Sequence, residues 1–255
     1  MRTSTAGGSG RDHVAEPDGP AREDRALPPV GEFVEVCGAG LVSDPSGALY
    51  WPDHGVLAVA DLHLEKGSSF ARRGVLLPPY DTGDALARLR SVAARYAPRV
   101  VIALGDSFHD GGGPGRIAVA DRATLLGLQR GRDWVWITGN HDPEPVPGIG
   151  GRFAAVAAIG PLLFRHAPQP DADPGEIAGH LHPVARLPVA GRAIRRRCFV
   201  TDRTRLVMPA FGAYAGGLNI RDRAFVRLFT TLDVTAYVLG EARLHAFAAA
   251  RCVAD

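Results

Sequence analysis

The stretch VVIALGDSFHDGGG, Val100 to Gly113, runs from five apolar residues straight into Asp106, His109, Asp110 and three glycines. The apolar run has the length and aliphatic content of a buried strand. A buried strand that ends on ionisable side chains delivers them to a sheet edge, where α/β folds bind their ligands. The same pattern recurs along the chain. GVLAVADLH ends on Asp61 and His63, DWVWITGNHD on Asn140, His141 and Asp142, and GPLLFRH on His166, while His180 and His182 follow in GHLHP.

Taken singly, each of these residues has an ordinary explanation: an Asp after a strand is usually a turn or cap, and a lone His usually a satisfied core or surface residue. Five successive strand ends carrying oxygen or imidazole ligands are harder to dismiss. In extended backbone, residues i and i+2 share a face, so Asp61 with His63, and His180 with His182, can act as ligand pairs. The glycines before Asp106, Asn140 and His180 remove side chains where the backbone must turn beside such a site. Carboxylate, amide oxygen and imidazole without thiolate suit divalent Mn²⁺, Fe²⁺ or Zn²⁺, and there are enough ligands for two ions. Two ions about 3.5–4 Å apart can share a bridging carboxylate, activate a bridging water as hydroxide and clamp an in-line displacement at phosphorus. A single structural zinc would leave half of these residues unexplained.

Between the strand signals lie two helical candidates. YDTGDALARLRSVAARYAP places Leu86, Leu89, Val92, Ala93 and Tyr96 on one face and stops at Pro98, and GRIAVADRATLLGLQRG ends at Gly131. Strands alternating with helices indicate α/β layers, and the short strands after Glu176 predict a second sheet. Residues 1–29, rich in Gly, Pro, Ser and charge, read as a disordered tail in which His13 is idle. Residues 30–255 are expected to form a single domain.

At 255 residues and 46% hydrophobic, the chain can bury a substantial core; its formal charge of +2 means that anionic partners must be drawn by local patches. All but one of the 29 basic residues are arginine. Three cysteines without CxxC spacing argue against a disulfide framework and for a reducing, cytoplasmic setting. No apolar run reaches the roughly 18 residues of a membrane helix, and no signal-peptide layout is expected. Arg72 and Arg73 with Lys66, and the run Arg192, Arg195, Arg196, Arg197, Arg203 and Arg205 interleaved with Phe199, are candidate phosphate contacts; solvated faces would read the same way. GGGPG, Gly111 to Gly115, lacks the Walker Lys-Ser/Thr and reads as a rim leading into the next helix. In PAFGAYAGG, Phe211 reads as packing, whereas Tyr214 could stack on a base.

The ordered blocks DxH, GDxx, GNH[DE], a lone His and GHxH resemble the calcineurin-type metallophosphoesterase superfamily. That resemblance implies a four-layer α/β/β/α sandwich with a dinuclear centre at one edge of the two sheets. By position it implies Asp61, His63 and His182 on one metal, Asn140, His166 and His180 on the other, and Asp106 between them. It also implies that His141 stabilises the transition state or protonates the leaving oxygen. The residue three after the bridging Asp is His109, where phosphatases of the GDxxDRG type carry Asp. This resembles the DNA-repair nuclease branch, in which that His contacts substrate phosphate or assists the leaving group.

ADLHLEKGSSFARRGVLLPPYDT, GHLHPVARL and RCFVTDRTRLVMPAFGAYAGGL are similar to the bacterial ligase-associated DNA-damage-response endonucleases. The likeness implies phosphodiester hydrolysis on DNA, usually with manganese, beside an ATP-dependent DNA ligase, a helicase and an exonuclease. Arg72, Arg73 and Arg196 are then the candidate substrate contacts. Two other readings keep the same residues: hydrolysis of a small nucleotide or phosphorylated metabolite, and a weakly active scaffold in a repair complex.

Overall fold

The computed structural model describes residues 31–229 and 233–255, so the expected tail and His13 lie outside the described residues. A first sheet runs in chain order through β1 (Glu32–Val36), β2 (Ala39–Ser43), β3 (Leu49–Trp51), β4 (Val56–Val59), β5 (Val100–Leu104), β6 (Asp133–Ile137) and β7 (Arg152–Ala154). Its first four strands are antiparallel and β4 to β7 are parallel. The crossovers that parallel pairing demands are α1 (Lys66–Ala71) with α2 (Asp81–Tyr96) between β4 and β5, and α3 (Gly113–Arg116) with α4 (Val119–Gln129) between β5 and β6.

The second sheet contains β8 (Val156–Ile159), β9 (Leu162–Arg165), β10 (Glu176–Ala178), β11 (Pro183–Val189), β12 (Arg192–Thr201), β13 (Arg205–Val207) and β14 (Leu218–Asn219). Their spatial order is β14-β11-β12-β13-β10-β9-β8, and β15 (Thr235–Leu239) pairs with β12 and with β16 (Leu244–Ala248). Helix α5 (Arg223–Leu228) starts at Asp222, whose side chain accepts the Ala224 N–H as an N-cap.

Strand alternation decides the layering. In β5, Val100, Ile102 and Leu104 enter the core between the sheets, while Val101 and Ala103 face the helices. The neighbouring β6 repeats this, with Val135 and Ile137 inward and Trp134 and Trp136 toward the helices. Against those outward residues α2 lays Leu86, Leu89, Val92, Ala93 and Tyr96, the stripe read from sequence, and stops at Ala97 in a left-handed conformation before Pro98. On the far side, Cys198, Val200 and Val207 of the second sheet pack against Phe225 and Leu228 of α5. Three apolar interfaces thus hold four layers, α/β/β/α. The segment Gly111–Gly115, read as a rim, contributes its last three residues to the single turn of α3.

Leu89 is buried in the helix-to-sheet interface, whereas the adjacent Arg90 is exposed. Leu89→Ala is expected to cost about 2–5 kcal/mol in urea unfolding, and Arg90→Ala less than about 0.5 kcal/mol. Equal costs for the two would show that this face of α2 is not packed as described.

Candidate metal centre

The loops leaving β4, β5, β6, β9 and β10 meet where the two sheets end. The loop after β4 is stitched to the loop after β5 by main-chain hydrogen bonds: His63 N–H to Asp106 O at 2.8 Å, Leu64 N–H to Ser107 O at 2.9 Å and His109 N–H to Leu64 O at 2.9 Å. Leu62, Leu64 and Phe108 turn inward and are buried, so the intervening polar side chains face the cleft. The backbone there is not extended, as the i, i+2 argument assumed. Asp61, His63, Glu65, Asp106, His180 and His182 all have positive φ, between 44° and 69°. Left-handed residues reverse the local direction of the chain, and they separate His180 from His182 into different ligand groups.

One group is Asp61, His63 and His182; another is Asp106, His166 and His180; in each, the ligand atoms lie within 4.8 Å of one another. Asn140 joins the second group through its Oδ1, 2.9 Å from His166 Nε2. Asp106 lies in the second group, with Oδ1 3.4 Å from His166 Nε2, and its Oδ2 is 3.9 Å from His141 Nε2. A third group, His63 with His109 and His141, was not foreseen from sequence, since only folding brings the His109 and His141 rings to 5.3 Å, stacked beside His63.

Carbonyl acceptors select the imidazole tautomers. His166 Nδ1–H donates to Leu104 O at 2.9 Å, and His141 Nδ1–H to His109 O at 2.7 Å, so each presents its Nε2 to the cleft. Such outer hydrogen bonds orient imidazole ligands in metal sites. Ring nitrogens also crowd one another: His63 Nε2 lies 3.3 Å from His182 Nε2, and His180 Nδ1 lies 3.1 Å from His166 Nε2.

Burial and then the nearby His182 push the His63 pKa down to about 2, so this ring is neutral. Burial opposes the His182 cation, but the Asp61 carboxylate outweighs it and moves His182 up. His180 and His109 are lowered, chiefly by burial. Buried carboxylates, one amide oxygen and closely spaced imidazole nitrogens are the donor set that divalent cations hold together. The residues present therefore fit two such ions.

Glycines permit the approach. A Cβ at Gly139 would lie 2.2 Å from Asp106 N, one at Gly105 2.5 Å from the His166 ring, and one at Gly179 2.7 Å from Asp61 Oδ2. Of the three, only Gly105 has positive φ, so the sequence reading of sharp turns is corrected: close packing against the site explains the other two. Asp142 braces the cleft, accepting N–H groups from Ser107 at 2.7 Å, Phe108 at 3.1 Å and Gly139 at 3.1 Å, and burial raises its pKa to about 6. Asp110 accepts two hydrogen bonds from Arg116, each at 2.9 Å, and the Gly112 N–H at 2.8 Å, which closes a turn.

Arg72 and Arg73 line a cavity of about 430 Å³ with Ser69, Asp110 and Gly112. Arg196 is exposed and donates to Arg195 O. The basic run is divided by the fold. Phe199 is in the core between the sheets, Arg205 is buried against Glu176 at 3.3 Å, and Arg203 pairs with Glu35, all away from Arg192 to Arg197. Phe211 is buried as read, and Tyr214 donates its hydroxyl to Pro78 O at 3.2 Å. What the sequence did not disclose is how the Pro209–Gly217 loop serves the site: Phe211 N–H and Gly212 N–H donate to Ala60 O and Asp61 O, at 2.8 and 3.1 Å. Its glycines were the available signal, and Gly212 is needed because a Cβ there would meet Leu62 O at 2.1 Å.

The model of the calcineurin-like phosphoesterases matches residues 54–191, a span that contains every candidate ligand. The chain belongs to the calcineurin-like phosphoesterases. This membership carries metal-dependent hydrolysis of phosphoesters, and the four layers are those of a metallophosphoesterase. Among solved structures, the Pseudomonas putida nuclease MPE is similar over 85% of this chain and 100% of its own, with 26% identity and a TM-score of 0.64. The phosphoesterase Yfce from E. coli covers 76% of this chain and 98% of its own, at 14% identity and a TM-score of 0.38. No curated protein matches. Among the described residues, no helix is long and apolar enough to cross a membrane.

Gly139→Ala tests the crowding around Asp106. The variant is expected to keep its circular dichroism spectrum while bound transition metal, measured by plasma emission after desalting, falls to half or less of the wild-type content. Unaltered metal content would contradict the role given to Gly139.

Proposed function

We propose that the protein is a dinuclear, manganese-dependent phosphodiesterase that hydrolyses DNA backbone bonds in repair, working beside an ATP-dependent DNA ligase, a helicase and an exonuclease. The observation that carries the reading is the convergence of two ligand groups, Asp61 with His63 and His182 and Asp106 with His166 and His180, beside the stacked rings of His109 and His141. The similarity to a nuclease from P. putida supports a nucleic acid as the substrate. Asp61, His63 and His182 would hold one ion, Asn140, His166 and His180 the other, and Asp106 both. When bound, the ions supply Lewis acidity toward phosphoryl oxygens and acidify a water.

The remaining work falls to side chains. His141, oriented by the His109 carbonyl, points Nε2 at the cleft, where in its imidazolium form, protonated on both nitrogens, it gives the Nε2 proton to the departing oxygen and is left neutral. His109 stands beside it and contacts the phosphate, between His141 and the Phe70 ring, whose centroid is 5.6 Å away. Lys66 donates to Tyr214 O at 2.8 Å; burial lowers its pKa and the nearby Asp81 carboxylate opposes that shift, and we assign this cation to the approaching phosphate. Arg72 and Arg73 are placed to hold a flanking phosphate on the His109 side.

With manganese, the wild-type protein is expected to cut single-stranded or nicked DNA. Asp106→Ala abolishes the activity, and His141→Ala lowers kcat about 10²- to 10⁴-fold. His109→Ala raises KM more than it lowers kcat if its role is phosphate contact. A manganese-loaded sample that hydrolyses small phosphodiesters but never DNA would falsify the DNA reading and favour a small nucleotide substrate. Fewer than one bound transition ion per chain would count against a dinuclear centre.

A further inference from the structure

We propose that the inward face of the β11–β12 hairpin, with Arg195 at its centre, is a binding groove for the backbone phosphates of a nucleic-acid strand on the His182 side of the metal centre. The proposal rests on the reading of the protein as a DNA phosphodiesterase. It concerns a surface distinct from the ligand groups and from the Arg72–Arg73 cavity.

Register decides which arginines can act together. Arg195 lies opposite Arg186, Arg196 opposite Ala185, and Arg197 opposite Val184, with Ala190 and Gly191 both left-handed at the turn. Further along β12, Phe199 enters the core between the sheets, whereas Cys198 and Val200 pack toward α5. Alternation therefore puts Arg195 and Arg197 on the face that continues the inter-sheet seam, and Arg192 and Arg196 on the outer face. At the seam they meet the loop that carries Ala210 to Gly217. Arg195 Nη2 donates to Gly217 O at 3.0 Å and Arg197 Nη1 to Ala210 O at 2.8 Å.

Both acceptors are neutral carbonyls, so the arginines are oriented without losing their charge. Val184, Arg195, Arg197 and Ala215 to Gly217 line a cavity of about 430 Å³ with no carboxylate in its lining, and Arg196, which starts on the outer face, reaches its edge and donates to Arg195 O. Arg195 Nη1 lies 3.8 Å from Asp255 Oδ1; both side chains are about half exposed, a geometry in which an ion pair contributes little. Planar guanidinium forks on a neutral floor suit phosphate oxygens.

The floor is glycine for two reasons. A Cβ at Gly217 would lie 2.6 Å from His182 O, so this residue presses directly on the segment that carries a candidate ligand. At Gly216, by contrast, an added Cβ meets nothing within 4 Å, and the missing side chain leaves room above the floor. The Gly216 backbone also hydrogen-bonds His182. The groove is thus continuous with the metal centre, and a strand seated on the ions runs into it.

The test compares two substrates in manganese: a fluorescent oligothymidylate and bis(p-nitrophenyl) phosphate, which is too small to reach the groove. Arg195→Ala should lower kcat/KM for the oligonucleotide about tenfold, mainly through KM, and make its log–log salt slope shallower by about 1. Any loss on the small diester should be at least fivefold smaller than that. Gly216→Asp, which adds an anion in open space, should give the same selective loss without removing a contact. Arg195→Lys should restore the salt slope but not the full affinity. Unfolding midpoints of the variants, read alongside, separate these effects from damage to the fold.

Equal losses on both substrates would overturn the proposal, because they would mean that Arg195 merely supports the centre. Unchanged oligonucleotide kinetics in both Arg195→Ala and Gly216→Asp would also overturn it, leaving the groove to a protein partner. If the wild-type protein hydrolyses the small diester but neither binds nor cuts the oligonucleotide, it is the DNA reading that fails, before any variant is compared.

Discussion

Two carboxylates, Asp61 at 0% and Asp106 at 2% exposure, sit at the seam between two hydrophobic sheets, and the rest of the site is arranged around that fact. Removing a carboxylate from water costs several kcal/mol unless positive charge and hydrogen bonds replace the solvent. Part of the replacement is built in. Asp61 accepts the His180 N–H at 2.9 Å, and Asp106 accepts the His141 N–H, also at 2.9 Å. Each bond reaches across to another loop, so the buried charges tie the strand ends together. The remaining lone pairs point at imidazole nitrogens, several of them neutral and closely spaced, and divalent cations are what such a set accommodates.

The cost of holding these side chains in place is carried by the backbone. Asp61, His63, Glu65, Asp106, His180 and His182 adopt left-handed conformations without being glycine, at about 1–3 kcal/mol each. Such strain persists where the surroundings over-determine it. Here the surroundings are the main-chain ladder between the loops after β4 and β5, the three N–H groups gathered by Asp142, and the apolar plugs Leu62, Leu64 and Phe108. Strand alternation below supplies rigidity, because β4, β5 and β6 are packed on both faces.

Charge around the cleft follows one pattern. Lys66, Arg88, Arg195 and Arg197 each donate to a carbonyl of the Ala210–Gly217 loop, at Tyr214, Phe211, Gly217 and Ala210. Neutral acceptors fix the geometry of a cation without cancelling its field. A chain with a formal charge of +2 thereby concentrates positive potential beside one loop, which is how a nearly neutral protein can attract a polyanion to one place.

The sequence by itself determined the layers and the chemistry. Alternation in VVIAL and DWVWI, the stripe from Leu86 to Tyr96 and the polar residues that close each apolar run were local patterns, and local patterns follow from the two periodicities of helix and strand. It also specified the ligand types, because donor atoms belong to residues and not to conformations. Tertiary structure decided which residues meet. His109 and His141 are 32 positions apart, and their stacking depends on how two loops are stitched together. His180 and His182 look like a pair in sequence but diverge because both are left-handed. Arg195 and Arg196 are adjacent, yet the hairpin register sends them to opposite faces, and Arg205, on the next strand, pairs with the buried Glu176. Such outcomes depend on the register and crossing of distant segments, which are set by the collective packing of the core.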